Sequence, residues 1–209
     1  MSARVVLVST AIVLRLHAVA SAQEPGAYVG GTVAVHVQPR GDSDPLGGAT
    51  WGGSVLIGAH VSPGVALESE TYVSGAFSNA YSYPPSLSVL VDVDARRRDT
   101  LFAFQVRMRA APWLEPVVGG SYVLEQLSRH ATVARGGSPY FDDSETRHGF
   151  ALVGGLDAPV SVGQRFFIVP SFRVFVATSR GAKELDPLGM DTQTGRVAAR
   201  FGIGGRAVF

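Results

Sequence analysis

Apolar and polar residues alternate with a period of two in eight separate stretches of the chain, and nowhere does a sustained helical period take over. The most informative runs from Arg196 to Phe209, where Val197, Ala199, Phe201, Ile203, Gly205, Ala207 and Phe209 face one way, and Arg196, Arg200 and Arg206 face the other. Such alternation marks a strand between two unlike surroundings. The others cover 27–37, 50–61, 64–74, 100–109, 113–127, 147–157 and 165–177. The stretches at 64–74 and 100–109 alternate most cleanly, with Glu68 and Glu70 opposing Val65, Leu67 and Val73 in the first, and Arg107 and Arg109 opposing Phe102, Phe104 and Val106 in the second. Each stretch predicts a β-strand.

Short and long connections take turns between these strands. Ser62–Pro63, Ala110–Pro112 and Ala158–Gly163 are short, whereas Pro39–Ala49, Gly75–Asp99, His130–Thr146 and Thr178–Gly195 are long and polar, so these four are expected to be loops. In an up-and-down barrel all the short turns then fall at one rim and all the long loops at the other. One segment departs from the scheme. Leu87, Val89, Val91 and Val93 are apolar on the odd parity, whereas Phe102 and Phe104 use the even one. A bulge or break is expected between them, and either the fourth strand extends upward or an added hairpin makes ten strands. Eight is the expected number.

The first 22 residues read as a secretory signal peptide: Arg4, an apolar run from Val5 to Leu14, and Ala20-Ser21-Ala22 before the expected cut. Residues 23–209 then form the mature domain. Its removal takes two arginines and no acid, so the formal charge falls from +1 to −1. Nucleic acid is not an implied partner. The hydrophobic content is 46%, yet no apolar run is long enough for a membrane helix, so any membrane crossing must use strands. Cysteine is absent and Lys183 is the only lysine. Positive charge is therefore carried by arginine, the side chain suited to fixed, multiply bonded ion pairs.

Alternation by itself leaves a secreted soluble barrel as the alternative, with its apolar face inward. Two features favour the opposite sense. Charged positions on the strands are few, and tight-turn registers bring Arg107 near Glu115 and Asp157 near Arg165 on one face. In a bilayer, an arginine facing lipid at the midplane costs about 2–4 kcal/mol, so the charges must point inward. The expected interior network comprises Glu68, Glu70, Arg107, Arg109, Glu115, Glu125, Asp157, Arg165, Arg173, Arg200 and Arg206. Eight strands leave a lumen that side chains fill, which predicts a plugged polar interior without a wide pore. Trp51 and Trp113 are placed for an interfacial girdle, with Phe209, Tyr28 and Tyr72 also available near strand ends, although the inward parity of Tyr28 makes the interior its alternative place.

With Ala27-Tyr28-Val29-Gly30-Gly31 opening the strands and Phe201-Gly202-Ile203-Gly204-Gly205-Arg206-Ala207-Val208-Phe209 closing them, residues 27–209 resemble the eight-stranded outer-membrane β-barrels, OmpA-like and OmpX-like, of the porin family. The resemblance implies an all-β, up-and-down antiparallel transmembrane barrel in the cell outer membrane, surrounded by lipid and lipopolysaccharide. It also implies that Phe201, Ile203, Ala207 and Phe209 form an insertion signal for the barrel-assembly machinery. The resemblance is to the single-domain members, so no peptidoglycan-binding domain is expected after the barrel.

Motifs for chemistry are sparse. Arg40-Gly41-Asp42 spells an adhesion tripeptide, for which coincidence is the better account. Asp142, Asp143 and Glu145 lack the ligand spacing of a calcium loop and read as a solvated acidic loop, so no metal or cofactor is expected. Outer-membrane lipid A-modifying enzymes use histidine with serine or a carboxylate, but Ser128-Arg129-His130 does not have the His-x-Ser order of the deacylases. His36 and His60 fall on the inward parity. The expected role is non-enzymatic, in envelope integrity or surface interaction, with a surface ligand that the sequence does not identify. The alternatives are an outer-leaflet lipid A-modifying enzyme and a small-solute channel.

Overall fold

The computed structural model of the protein describes residues 26–39, 47–86, 89–134, 137–180 and 197–209. The expected signal peptide, Arg40-Gly41-Asp42 and Arg196 lie outside them. The described chain is all strand and turn: β1 (Ala27–Gln38), β2 (Gly48–Ser62), β3 (Val65–Ser86), β4 (Val89–Met108), β5 (Glu115–Val133), β6 (Pro139–Asp157), the two-residue β7 (Val160–Ser161), β8 (Phe166–Arg180) and β9 (Val197–Val208). All pairings are antiparallel. β1 to β6 pair in sequence, β6 pairs with β8, β8 with β9, and β9 returns to β1. Eight strands thus close a ring, and β7 is a small hairpin arm against Phe167 and Ile168.

Closure is staggered. Hydrogen-bonded partners lead from Ala27 through Ala59, Leu67, Val106, Val118, Gly154, Val174 and Ala199 back to β1 at Val37, ten residues from the start. Eight strands with that stagger tilt by about 40° and enclose a lumen that side chains fill.

The second and third long connections are not loops. β3 and β4 continue as paired strands as far as Ser86 and Val89, and β5 and β6 as far as Val133 and Pro139, so the polar segments 75–99 and 130–146 are mostly β-ladder. A membrane strand needs about 9–11 residues. β3 to β6 have 22, 20, 19 and 19, so four adjacent strands rise well beyond that span.

The expected bulge between Val93 and Phe102 is also absent, because β4 alternates without interruption. Val91, Val93, Ala95, Arg97, Asp99, Leu101, Ala103, Gln105 and Arg107 are all buried on its inner face. What changes is the chemistry of the faces. Below Thr100 the outward residues are Phe102, Phe104, Val106 and Met108; above it they are Arg98, Arg96, Asp94 and Asp92, while the inner face passes from Arg107 and Gln105 through Asp99 and Arg97 to Ala95, Val93 and Val91. The strand passes from a surrounding that favours apolar groups to one that favours charge, and the pattern inverts. The bulge lies instead on β3, between Val73 and Ala76. There Ser74 Oγ accepts the backbone N–H of Asp99 at 2.8 Å, giving a ladder donor its partner.

Candidate functional site

The lumen holds two tiers of charge. In the lower one the Arg107 guanidinium, on β4, contacts Glu68 of β3 and Asp157 of β6, and donates to Glu115 of β5 at 3.0 Å. Arg206 of β9 reaches the same Glu115 at 2.8 Å and lies 3.5 Å from Asp157. Arg173 of β8 donates to Asp157 at 2.6 Å. Three arginines thus face three carboxylates, and all six residues are buried. Tyr28 of β1 donates its hydroxyl to Glu68 at 3.2 Å, and its ring lies under both Arg107 and Arg206.

Above this tier Arg200 holds Glu70 with two contacts of 2.7 Å, while Tyr72 and Phe175 face the guanidinium at 4.6 and 5.3 Å. Gln105 links the tiers, donating to Glu70 at 3.0 Å and accepting from Arg173 at 3.2 Å. Higher still, Arg97 contacts Gln38 and lies 3.3 Å from Asp99. Of the eleven charged residues named from the sequence, nine are buried on the inner face. Arg109 and Arg165 are not. Both are exposed beyond the strand ends at the short-turn rim, Arg109 with its side chain 4.0 Å from Glu115. Asp157 meets Arg107 and Arg173 rather than Arg165, because β8 begins only at Phe166.

Gln38, Arg97 and Asp99 escape the sequence reading, since segments 39–49 and 75–99 read as loops; the odd-parity valines before Arg97 carry the signal. Tyr28 and Tyr72 are 1% exposed and belong to the interior rather than to a girdle. Trp51 and Trp113 do face outward, at 68% and 65% exposure. So do Phe201, Ile203 and Phe209, with Ala207 half-buried. An unforeseen aromatic row, Phe102, Tyr122 and Phe150, crosses the outer face of β4, β5 and β6 in direct register.

The histidines do not assemble a hydrolase site. His36 is enclosed by the rings of Tyr72, Phe77 and Phe175, His148 bonds the Tyr122 hydroxyl through Nδ1, and the His130 ring lies 4.0 Å from Asp142. His60 sits beside Tyr28. The acidic trio is divided by strand alternation: Asp142 is exposed outward, while Asp143 and Glu145 turn inward to Arg129 and Arg147 at 2.5 and 3.1 Å. Among the described residues no group of three potential ligands could hold a metal ion.

The chain superposes on a major outer membrane protein of Thermus thermophilus with a TM-score of 0.51 and 10% identity, over 88% of this chain and 99% of that one. The fold is that of the eight-stranded outer-membrane β-barrels. More distant similarities to such barrels are Ail, the attachment invasion locus protein of Yersinia pestis (TM-score 0.46, 9% identity, 88% and 95% covered), and Neisserial surface protein A (0.44, 15%, 88% and 97%). No protein-family model matches this barrel, and no curated protein does.

Proposed function

We propose that the protein is an integral outer-membrane barrel whose lumen is closed by its arginine–carboxylate network, and whose raised strands and long loops serve surface interaction or envelope integrity. The observation that carries this reading is the change on the outer face of β4: phenylalanine, valine and methionine below Thr100, arginine and aspartate above it. In water the lower half would expose a belt of Val33, Val55, Phe104, Val118, Leu152, Phe201 and Ile203 while turning Glu68, Arg107, Glu115, Asp157, Arg173 and Arg206 inward. In hydrocarbon the same arrangement is favourable, since arginine facing lipid is the costly alternative. The residues above the belt then stand in water outside the cell.

A lumen crossed by charge-assisted bonds from β1, β3, β4, β5, β6, β8 and β9 supports a closed barrel. On this reading the protein is exported by its amino-terminal signal segment and inserted by the barrel-assembly machinery through the outward face of β9, Phe201, Ile203, Ala207 and Phe209. It catalyses no reaction. Cell fractionation tests the location: the mature protein should appear in the outer-membrane fraction and migrate differently on a denaturing gel before and after boiling. Recovery in the soluble periplasm without that shift returns the soluble barrel. A stable current of porin size in planar bilayers would contradict the closed lumen.

A further inference from the structure

Outward residues on β4, β5 and β6 change character row by row. Phe104, Gly120 and Leu152 are followed upward by Phe102, Tyr122 and Phe150, then Thr100, Leu124 and His148, then Arg98, Gln126 and Thr146, then Arg96, Ser128 and Ser144. Two arginines of one sign therefore stand on the same outer face immediately above the aromatic row. Neither forms an ion pair among the described residues, whereas Arg97 between them turns inward to Asp99. The nearest outward acids on β4, Asp94 and Asp92, lie further from the apolar belt, and Asp92 already accepts from Ser82 at 2.7 Å. An open groove of about 450 Å³ runs here, lined by Arg96, Arg98, Gln126, Ser128, Ser144 and Thr146 among others.

We propose that this groove holds the phosphate of an outer-leaflet lipid headgroup, a phosphorylated glycolipid lying against the side of the barrel. The inference rests on the membrane reading above, which sets the height of the row. An aromatic row marks the edge of the hydrocarbon, and the phosphates of the surrounding leaflet lie just above that edge. Guanidinium forks bind phosphate oxygens in pairs. Hydroxyls of Ser128, Ser144 and Thr146 and the amide of Gln126 supply further donors, and a bridging anion relieves the repulsion between Arg96 and Arg98. Arg97 and Glu145 also line the groove, but each turns inward to a partner, Asp99 and Arg147, so the outward charge at this level is that of Arg96 and Arg98.

Native mass spectrometry of the folded, detergent-held barrel with bisphosphorylated lipid A, and with the same lipid after dephosphorylation, tests this. The wild-type protein should retain the phosphorylated form about tenfold or more over the dephosphorylated one, a preference weakened by salt. Arg96→Gln with Arg98→Gln should abolish it, Arg96→Lys with Arg98→Lys should keep part of it, and Arg165→Gln, at the opposite rim, should leave it intact. The gel shift on boiling reports folding for each variant. Equal retention of both lipids, or unchanged preference in the double glutamine variant, overturns the proposal. So does loss in that variant of binding to a soluble sulfated oligosaccharide with lipid A retention unchanged. Failure to fractionate with the outer membrane is a separate result, and it removes the membrane reading itself.

Discussion

The Tyr28 ring occupies the space that a side chain at Gly58 would fill, so that β2 supplies a gap rather than a group to the lower charge tier. A Cβ at position 58 would overlap the ring. Gly52, six residues away on the same inner face, gives Tyr72 the same room. Each tyrosine in turn lies under arginines: Tyr28 under Arg107 and Arg206, Tyr72 under Arg200. Gly58→Ala should therefore push Tyr28 off both guanidiniums and destabilise the barrel by about 1–3 kcal/mol, the usual cost of overpacking. Gly154→Ala, where nothing lies within 4 Å, should be close to neutral. Urea unfolding in lipid vesicles distinguishes the two.

Arg107 touches three carboxylates, so its removal leaves Glu68, Glu115 and Asp157 with Arg173 and Arg206 in the lumen and Arg109 at the rim. Arg107→Gln should cost about 3–5 kcal/mol, as expected when one partner of a buried ion pair is lost. Adding Glu68→Gln removes one stranded negative charge and should recover part of that loss. A double-mutant cycle read by the same unfolding transition gives the coupling. Independent, additive effects would show that the two side chains do not act together.

The belt predicts a sharp dependence on height. Leu152→Arg, on the outer face below the aromatic row, should lower stability by about 2–4 kcal/mol, whereas Ser144→Arg, eight residues along the same face of β6, should change it little. Vesicle refolding yields measure the difference. Equal tolerance at both positions would deny a lipid boundary between them.

Above that boundary the sense reverses. Val93 is 1% exposed on the inner face, packed in a cluster with Val91, Ala131 and Phe141, while its neighbour Asp94 faces out. Val93→Asp should loosen the raised strands and Asp94→Val should not. Proteolysis of intact cells reads this directly, because loosened strands above the membrane become accessible to protease and wild-type strands remain protected.

Strand identity is legible where the two faces differ strongly, as in Arg196–Phe209 and 100–109. It is lost where the faces exchange. Val91 and Val93 share the inner face of β4 with Arg107, yet apolar parity suggests a break, because a single rule of polar inside and apolar outside fails on a strand whose outer face turns from phenylalanine to arginine and aspartate part-way along. Segments 130–146 and 75–99 look like loops for a related reason: their charge and Gly content signal contact with water, and water contact does not exclude β-pairing. The inward charges of β3, β5 and β8 follow from alternation. Their partners do not, since Gln105 joining Glu70 to Arg173 depends on the stagger around the whole ring. Arg109 and Arg165 share the right parity and lie beyond the strand ends, where parity no longer specifies direction.

β9 contributes both Arg200 and Arg206, the cations that hold Glu70 and part of Glu115. Those acids, on β3 and β5, precede their arginines by 130 and 91 residues. A partly assembled sheet lacking β9 therefore carries carboxylates short of their counter-charges, and it cannot become a stable intermediate in a dry environment. Seam closure and charge neutralisation are one event, which makes the last ring strand to be translated a built-in check that the other seven have arrived in the correct stagger.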